Sequence, residues 1–366
     1  MSAVGKSLRS ATTISLGGVP GAWVKARSVV DLTSALHAAA AACLQPYILG
    51  GGSNCVVADI VDHVCVIQLE EAPPEVRLGP DGTVFVTAAG GQSWDSFVQW
   101  TVGQRLQGIE CLAGIPGTVG AAPVQNIGAY GQEVADTLVS LEAFDLQTQD
   151  VARIASAECG FGYRESRFNT VDIGVYVILS VTFLLTVDGY PCLKYPELRR
   201  EADDAGATEL VHIADLVRAI RARKGMLIDE TDQNSQSVGS FFRNPIVSIE
   251  TFNGVISAGI GDSVPAWDVG PDSIKLSAAW LMEACGFHRG QVLNKGVYLS
   301  HKHVLALVTQ DDATAADVVA AAVMIQDRIF ETVGITLIPE PCWIGFPITA
   351  SLPHGALRAC CREGAK

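Results

Sequence analysis

No stretch of this 366-residue chain is apolar for long enough to cross a bilayer as a helix. The longest, residues 175–187, is broken by Ser180, Thr182 and Thr186 and falls short of the roughly 20 residues that a spanning helix needs. Its β-branched composition marks a buried strand instead. Positive charge is scarce as well. With 25 Lys and Arg against 39 Asp and Glu, the formal net charge is −14, which argues against nucleic acid or an anionic membrane as partner, because phosphate backbones are held by clustered Lys and Arg. Any anionic small molecule must therefore meet a local cationic pocket. The ten cysteines include no C-x-x-C pair, and Cys360-Cys361 is the only close spacing. That pattern suits neither a zinc knuckle nor a small disulfide scaffold, so no metal is expected and the thiols are read as reduced. Residues 1–16 carry Lys6 and Arg9 but lack the apolar core and cleavage site of a secretory signal, and a cytoplasmic location is expected.

What the chain does have is apolar material, 49% of residues against 17% charged, enough for a large buried interior, and a length that suggests two or three domains. Its most informative stretch is Gly114-Ile115-Pro116-Gly117-Thr118-Val119-Gly120-Ala121-Ala122-Pro123-Val124-Gln125-Asn126-Ile127-Gly128-Ala129-Tyr130-Gly131-Gln132-Glu133. It is too glycine-rich for core and too apolar for a solvated loop. Glycine lets main-chain N–H groups come close to a bound group, and Pro116 and Pro123 fix the turns, an arrangement suited to cradling phosphates. A second loop, Gly50-Gly51-Gly52-Ser53-Asn54, lies between apolar Tyr47-Ile48-Leu49 and Val56-Val57-Ala58. It does not match G-x-G-x-x-G opening a helix, so no Rossmann fold is assigned, and by itself a tight turn explains it.

Periodicity and caps predict helices at 31–44, 93–102, 209–224, 277–285 and 315–332, and strands at 84–88, 138–144 and 175–187, a mixed α+β chain. Thr314 and Asp317 cap the last helix, Val318, Ala322, Ile325 and Ile329 form its apolar stripe, and Gly334 ends it. Arg218, Arg221, Arg223 and Lys224 complement the carbonyl end of the 209–224 helix. Arg221 and Lys224 also share a face and could hold a diphosphate. The polar run 225–236 marks a domain boundary, and 352–366 reads as a dispensable tail.

Three polar residues stand in costly surroundings. Arg164, in Gly162-Tyr163-Arg164-Glu165-Ser166, is set among aromatic and glycine residues and needs an anionic partner, which an internal ion pair would supply equally well. Ser240, in Gly239-Ser240-Phe241-Phe242-Arg243-Asn244-Pro245, has no nucleophile elbow around it, and a turn serine is the plain alternative. Glu340, between Pro339 and Pro341 in an apolar segment, is placed either as a tuned carboxyl group or in a solvated turn.

Together with Ser300-His301-Lys302-His303, these blocks occur in the order found in UDP-N-acetylenolpyruvoylglucosamine reductases, and the chain resembles that family over residues 13–345. The resemblance implies a vanillyl-alcohol-oxidase-like (PCMH-type) two-part FAD-binding fold, α+β, with a separate C-terminal α+β substrate-binding domain. Residues 1–72 would form the first FAD-binding part and 73–224 the second, completed by 334–349, with substrate domain 225–333 and tail 350–366.

By the same resemblance, non-covalent FAD is held by Gly50, Gly51, Gly52, Ser53, Asn54, Gly114, Ile115, Pro116, Gly117, Gly120, Ala121, Gln125, Asn126 and Gly128. NADPH supplies reducing equivalents, and the substrate is the small molecule UDP-N-acetylenolpyruvoylglucosamine, reduced to UDP-N-acetylmuramate for peptidoglycan synthesis. Hydride passes from flavin N5 to C3; Arg164 and Glu340 stabilise the charge that develops, and Ser240 protonates C2. Tyr163, Tyr195, Arg221, Lys224, Asn244 and Gln291 are implied to bind substrate. Cys342 stands where many relatives carry arginine. A monomer is expected. The rival readings are a flavin oxidase of an alcohol or sugar on the same scaffold, and a non-catalytic nucleotide-binding module.

Overall fold

The computed structural model describes residues 5–259, 263–347 and 349–358. Strand β1 (Ala22–Ala26) leads into helix α1 (Val29–Ala41), then β2 (Gln45–Ile48), β3 (Cys55–Val57) and β4 (Val64–Leu69). Ser28 Oγ accepts the Asp31 N–H and caps α1 two residues earlier than expected. The helix stops at Ala41 because Cys43 turns to a positive φ of 53°. Parallel β1, β4 and β2 form one sheet, and α1 packs Leu32, Ala35 and Ala39 against Ala26, Cys65 and Ile67.

The second unit is an antiparallel sheet. β5 (Glu75–Leu78) and β6 (Thr83–Ala89) precede α2 (Trp94–Gly103) and β7 (Leu106–Gln107); the short hairpin β8 (Gly128–Ala129) and β9 (Gln132–Glu133) is followed by β10 (Leu138–Asp145), β11 (Val151–Ala155) and β12 (Tyr176–Val187). The sheet order is β11-β10-β12-β6-β5. Along β6, Val84, Val86 and Ala88 are buried while their neighbours are not, the period of two that a one-sided strand requires. Behind it Trp94, Phe97 and Phe183 meet edge-on or tilted, with ring centroids 5.4–6.1 Å apart. Helices α3 (Pro196–Ala205) and α4 (Leu210–Arg223) close this core with Leu198, Ile213, Val217 and Ile220.

The third unit holds β13 (Ile246–Ser248), α5 (Ile249–Ser257), β14 (Ala266–Gly270) and β15 (Ser273–Leu276), then α6 (Ala278–Ala284), hairpin β16 (Val297–Leu299) and β17 (Leu307–Thr309), and α7 (Ala315–Val333). The cap of α7 is the one read from sequence: Thr314 Oγ1 accepts the Asp317 N–H and Asp317 returns the bond. Val318, Ala322, Ile325 and Ile329 are fully buried.

Two features differ from expectation. The segment 334–349, assigned to complete the 73–224 part, carries β18 (Cys342–Ile344), which pairs in parallel with β3 of the first part. Buried β3 thus finds its strand partner in this return. The tail is also built into the fold as far as it is described, since β19 (Leu357–Arg358) adds to β18 and buried Gln326 bonds both Leu337 O and the His354 main chain. No helix among the described residues is long and apolar enough to cross a membrane.

Removing residues 353–366 strands the Gln326 carboxamide oxygen in the interior, at a cost of about 1–3 kcal/mol. Thermal unfolding of the shortened chain is therefore expected at a lower midpoint. An unchanged midpoint would return the segment to the status of a dispensable tail.

Candidate active site

A cavity of about 880 Å³ lies between the parallel sheet and the antiparallel sheet, within the range of small-molecule and cofactor sites, roughly 300–1,000 Å³. Its walls include Gly50, Gly51, Gly52, Ser53 and Asn54 from one loop and Pro116, Gly117, Gly120, Ala121 and Gln125 from the other. The loops touch backbone to backbone. A Cβ on Gly51 would fall 2.7 Å from Gly117 Cα, and one on Gly50 would fall 2.9 Å from Thr118 Oγ1. Gly52 and Gly117 hold φ of +63° and +122°, which side chains other than hydrogen rarely permit. The result is a seam of main chain facing an elongated space, a fit for the diphosphate and ring system of a dinucleotide.

Four residues expected at the cofactor do not line the larger cavity. Ile115 and Gly128 line an adjoining cavity of about 170 Å³. Gly114 is a junction, its N–H donated to Asp95 Oδ1 at 2.6 Å and its carbonyl accepting Arg221 Nε at 3.1 Å. Asn126, 1% exposed, spends its amide on Glu133, the Gly162 carbonyl and the Ala135 N–H. A buried carboxamide must satisfy its groups internally, so Asn126 ties the 128 turn to the 162 loop and does not line the larger cavity.

The smaller cavity brings together Arg164, Ser240 and Glu340, and shares Ser53, Asn54, Pro116, Gln125, Ile127 and Glu340 with the larger. Each of the three arrives by identifiable main-chain geometry. Gly162 and Glu165 exchange backbone bonds in a tight turn, and Arg164 takes a positive φ of 58° within it. Such a conformation on a non-glycine residue is held by its surroundings. Here Asn169 Nδ2 donates to the Arg164 carbonyl, and Arg164 Nη2 donates to the Gly128 carbonyl at 2.9 Å. Arg164 Nε lies 3.5 Å from Glu340 Oε1, with side-chain exposures of 22% and 15%.

Ser240 and Glu340 are joined by register. The Arg243 N–H donates to Ile338 O and the Glu340 N–H donates to Phe241 O, so the stretch after Ser240 runs beside the stretch before Glu340. Phe241 and Phe242, 0% and 1% exposed, belong to the core of the third unit with Leu337 and Trp343 and line neither cavity. Among the described residues the Ser240 hydroxyl has no hydrogen-bond partner, and it lacks the base that a nucleophile requires. Glu340 is held by main chain, without a side chain from residue 342: its carbonyl accepts Asn54 Nδ2 at 3.4 Å, and the Cys342 N–H donates to Asn54 O. Burial pushes the Cys342 thiol up to about 11 and its strand neighbour Cys55 up to about 12.

The residues expected to bind substrate divide. Tyr163 lies 5.5 Å from the Arg164 guanidinium; burial raises its pKa, against the pull of Arg164 and hydrogen bonds to Asn244. Asn244 Oδ1 also accepts the Ala278 N–H at the start of α6. Arg221 lines the smaller cavity, and its burial lowers its pKa, opposed first by Tyr130 and Asp95. Lys224 pairs with Glu197 at 2.6 Å and sits 5.8 Å from the Tyr130 ring, which meets Tyr195 edge-on at 5.4 Å. Gln291 is not brought to this site. Its Oε1 accepts the His288 N–H, and it borders a separate groove along α7. The 300–303 block likewise braces the end of α4, through Lys302 Nζ to Asp232 and to the Ala222 carbonyl. Burial, with Lys224 and Arg289 nearby, lowers the His303 pKa to about 4.

Two residues at the site carried no assignment from sequence. Tyr130 joins Lys224 to Tyr195, and Arg243 borders the larger cavity beside Glu340 and Cys342. Both stand inside quoted motifs; the available signal was an aromatic ring and a cation within otherwise apolar blocks.

Comparison with known proteins places this geometry. Residues 230–344 match the C-terminal domain of UDP-N-acetylenolpyruvoylglucosamine reductase, and residues 20–154 match an FAD-binding domain. The chain is 39% identical over 344 residues to UDP-N-acetylenolpyruvoylglucosamine reductase 2 of Corynebacterium glutamicum, covering 92% of each. It is 38% identical over 346 residues to the reductase of Saccharopolyspora erythraea, covering 92% of this chain and 94% of that one. A crystal structure of the Thermus caldophilus enzyme superposes with a TM-score of 0.60 at 22% identity, covering 92% of this chain and 97% of that one. The fold is accordingly the two-part, vanillyl-alcohol-oxidase-like FAD-binding type with an added α+β domain. Matched in both its FAD-binding and C-terminal parts and along nearly its whole length, the chain belongs to the UDP-N-acetylenolpyruvoylglucosamine reductase family of oxidoreductases.

Proposed function

We propose that this protein uses NADPH and FAD to reduce the enolpyruvyl ether of UDP-N-acetylglucosamine to the lactyl ether of UDP-N-acetylmuramate, as a cytoplasmic, monomeric enzyme of peptidoglycan precursor synthesis. The observation that carries this reading is the meeting of Arg164, Ser240 and Glu340 where the two cavities join. FAD bound along the glycine seam would supply two-electron chemistry, accepting hydride from NADPH and delivering it to C3 of the enol ether. The protein's own side chains handle the charge and the proton that remain.

Addition of hydride at C3 leaves negative charge at C2 that spreads into the substrate carboxylate. Arg164 is placed to stabilise it, because its guanidinium is largely desolvated and already fixed by Gly128 and Glu340; a preorganised charge in a dry site acts more strongly than one in water. Glu340 holds that guanidinium and borders the same space. Ser240 supplies the proton to C2. A hydroxyl is a weak acid, so the transfer depends on a strongly basic carbanion and on the exclusion of water from the closed site. Arg221 lines the smaller cavity, and with Lys224, Tyr163, Asn244 and Tyr195 it suits the anionic nucleotide portion of the substrate.

Three outcomes test the assignment. Gly51→Ala is expected to leave the protein folded but to weaken FAD binding about tenfold, roughly 1.4 kcal/mol, read as the flavin-to-protein absorbance ratio during titration; full retention would remove the seam from the cofactor site. Ser240→Ala should preserve flavin bleaching by NADPH while slowing substrate reduction by about 10²- to 10⁴-fold, and equal losses in both half-reactions would refute the proton assignment. Without oxygen, NADPH should bleach the parent holoprotein rapidly, whereas a flavin oxidase of alcohols or sugars would ignore it.

A further inference from the structure

Among the described residues, the one guanidinium group bordering the larger cavity is that of Arg243. Its main chain is pinned by the bond to Ile338 O, and its side chain is 19% exposed. The nearest carboxylate, Glu165, approaches only to 3.8 Å and is itself 55% exposed, so it neutralises the cation weakly. Arg243 Nε is buried and has no hydrogen-bond partner among the described residues. Because Nε is closed off from the cavity, Arg243 acts on the cavity's contents through its charge and not through a bond from Nε. The other cation on this cavity, Lys25, lies on β1 beside Gln68 and Leu69 of β4, whereas Arg243 shares its stretch of wall with Asn54, Glu340 and Cys342. It is close enough to Cys342 to pull that thiol's pKa back against burial.

We propose that the weakly neutralised guanidinium of Arg243 lies beside the redox-active ring of the bound flavin and raises its reduction potential, its fixed positive charge favouring the ring in its more negative, reduced form. The inference rests on the cavity taking FAD with its ring toward Arg164 and Ser240. A fixed positive charge beside that ring stabilises the electron-rich form more than the oxidised one. Arg243 is thus a positioning and tuning residue, distinct from the groups assigned to the proton and to the developing enolate. Glu165 opposes it from the outer side, so the two residues set the potential in opposite directions.

The test is the potential of the holoprotein, measured anaerobically against a reference dye. In Arg243→Gln the ratio of reduced to oxidised flavin at a fixed dye ratio should fall about tenfold, equivalent to about 30 mV for a two-electron couple. In Glu165→Gln it should rise about twofold, the smaller effect expected of a half-exposed charge. Should Arg243→Gln fail to fold or to retain flavin, Glu165→Gln decides alone, because its side chain is peripheral. A yellow parent whose potential ignores the substitutions overturns the role of Arg243 and leaves the flavin reading standing. A parent protein that takes up no FAD overturns both.

Discussion

The site depends on one parallel strand pairing. β18 lies on β3 with Cys342 opposite Cys55, and this alone returns the end of the chain to the first glycine loop. Asn54, the last residue of that loop, accepts the Cys342 N–H and donates to the Glu340 carbonyl. Residues 338–340 in turn provide the edge on which the 241–243 stretch aligns. A shift of one residue would turn every side chain to the opposite face, taking Glu340 from Arg164 and Ser240 from the cavity together. The apolar burial of Val56, Val57, Trp343 and Ile344 therefore fixes the relative positions of polar groups from distant parts of the chain.

A strongly acidic protein holds its cations where they are costly. Arg164, Arg221 and Arg243 are all largely removed from water, and each is stabilised by main-chain carbonyls, a single carboxylate or, for Arg243, incompletely. Long-range attraction of an anionic ligand is weakened by the net charge, so recognition falls to short-range contacts in low dielectric, where a guanidinium counts for most. The same enclosure keeps the Cys55 and Cys342 thiols protonated, and sulfur beside the cofactor cavity remains an apolar lining.

Much of the fold was legible. Helices at 93–102, 209–224, 277–285 and 315–332 were signalled by caps, stripes and stop residues, and α7 begins on the very capping pair read from sequence. The three central strands of the antiparallel sheet, β6, β10 and β12, followed from composition and alternation, whereas the short β5, β7 and β11 carried no such signal. The returning strand was not legible, since Cys342, Trp343 and Ile344 mark a buried strand but carry no information about which distant edge receives it. The same limit applied to 352–358, where a polar, proline-containing segment hid a strand, and to Gly114 and Asn126, whose motif membership says nothing of whether an amide faces a ligand or a neighbouring loop.

By itself the sequence determined the local chemistry: glycines where backbones must nearly touch, an arginine in a strained turn, a serine before two phenylalanines, and a glutamate between two prolines. Propensity, sterics and desolvation act over a few residues, so those features can be read in order along the chain. Only the tertiary structure decided that Arg164, Ser240 and Glu340 share one cavity, that Gln291 does not line it, and that Arg243 borders the larger cavity with only a distant, half-exposed carboxylate beside it. Those outcomes follow from sheet register and burial between segments up to hundreds of residues apart, which no local pattern specifies.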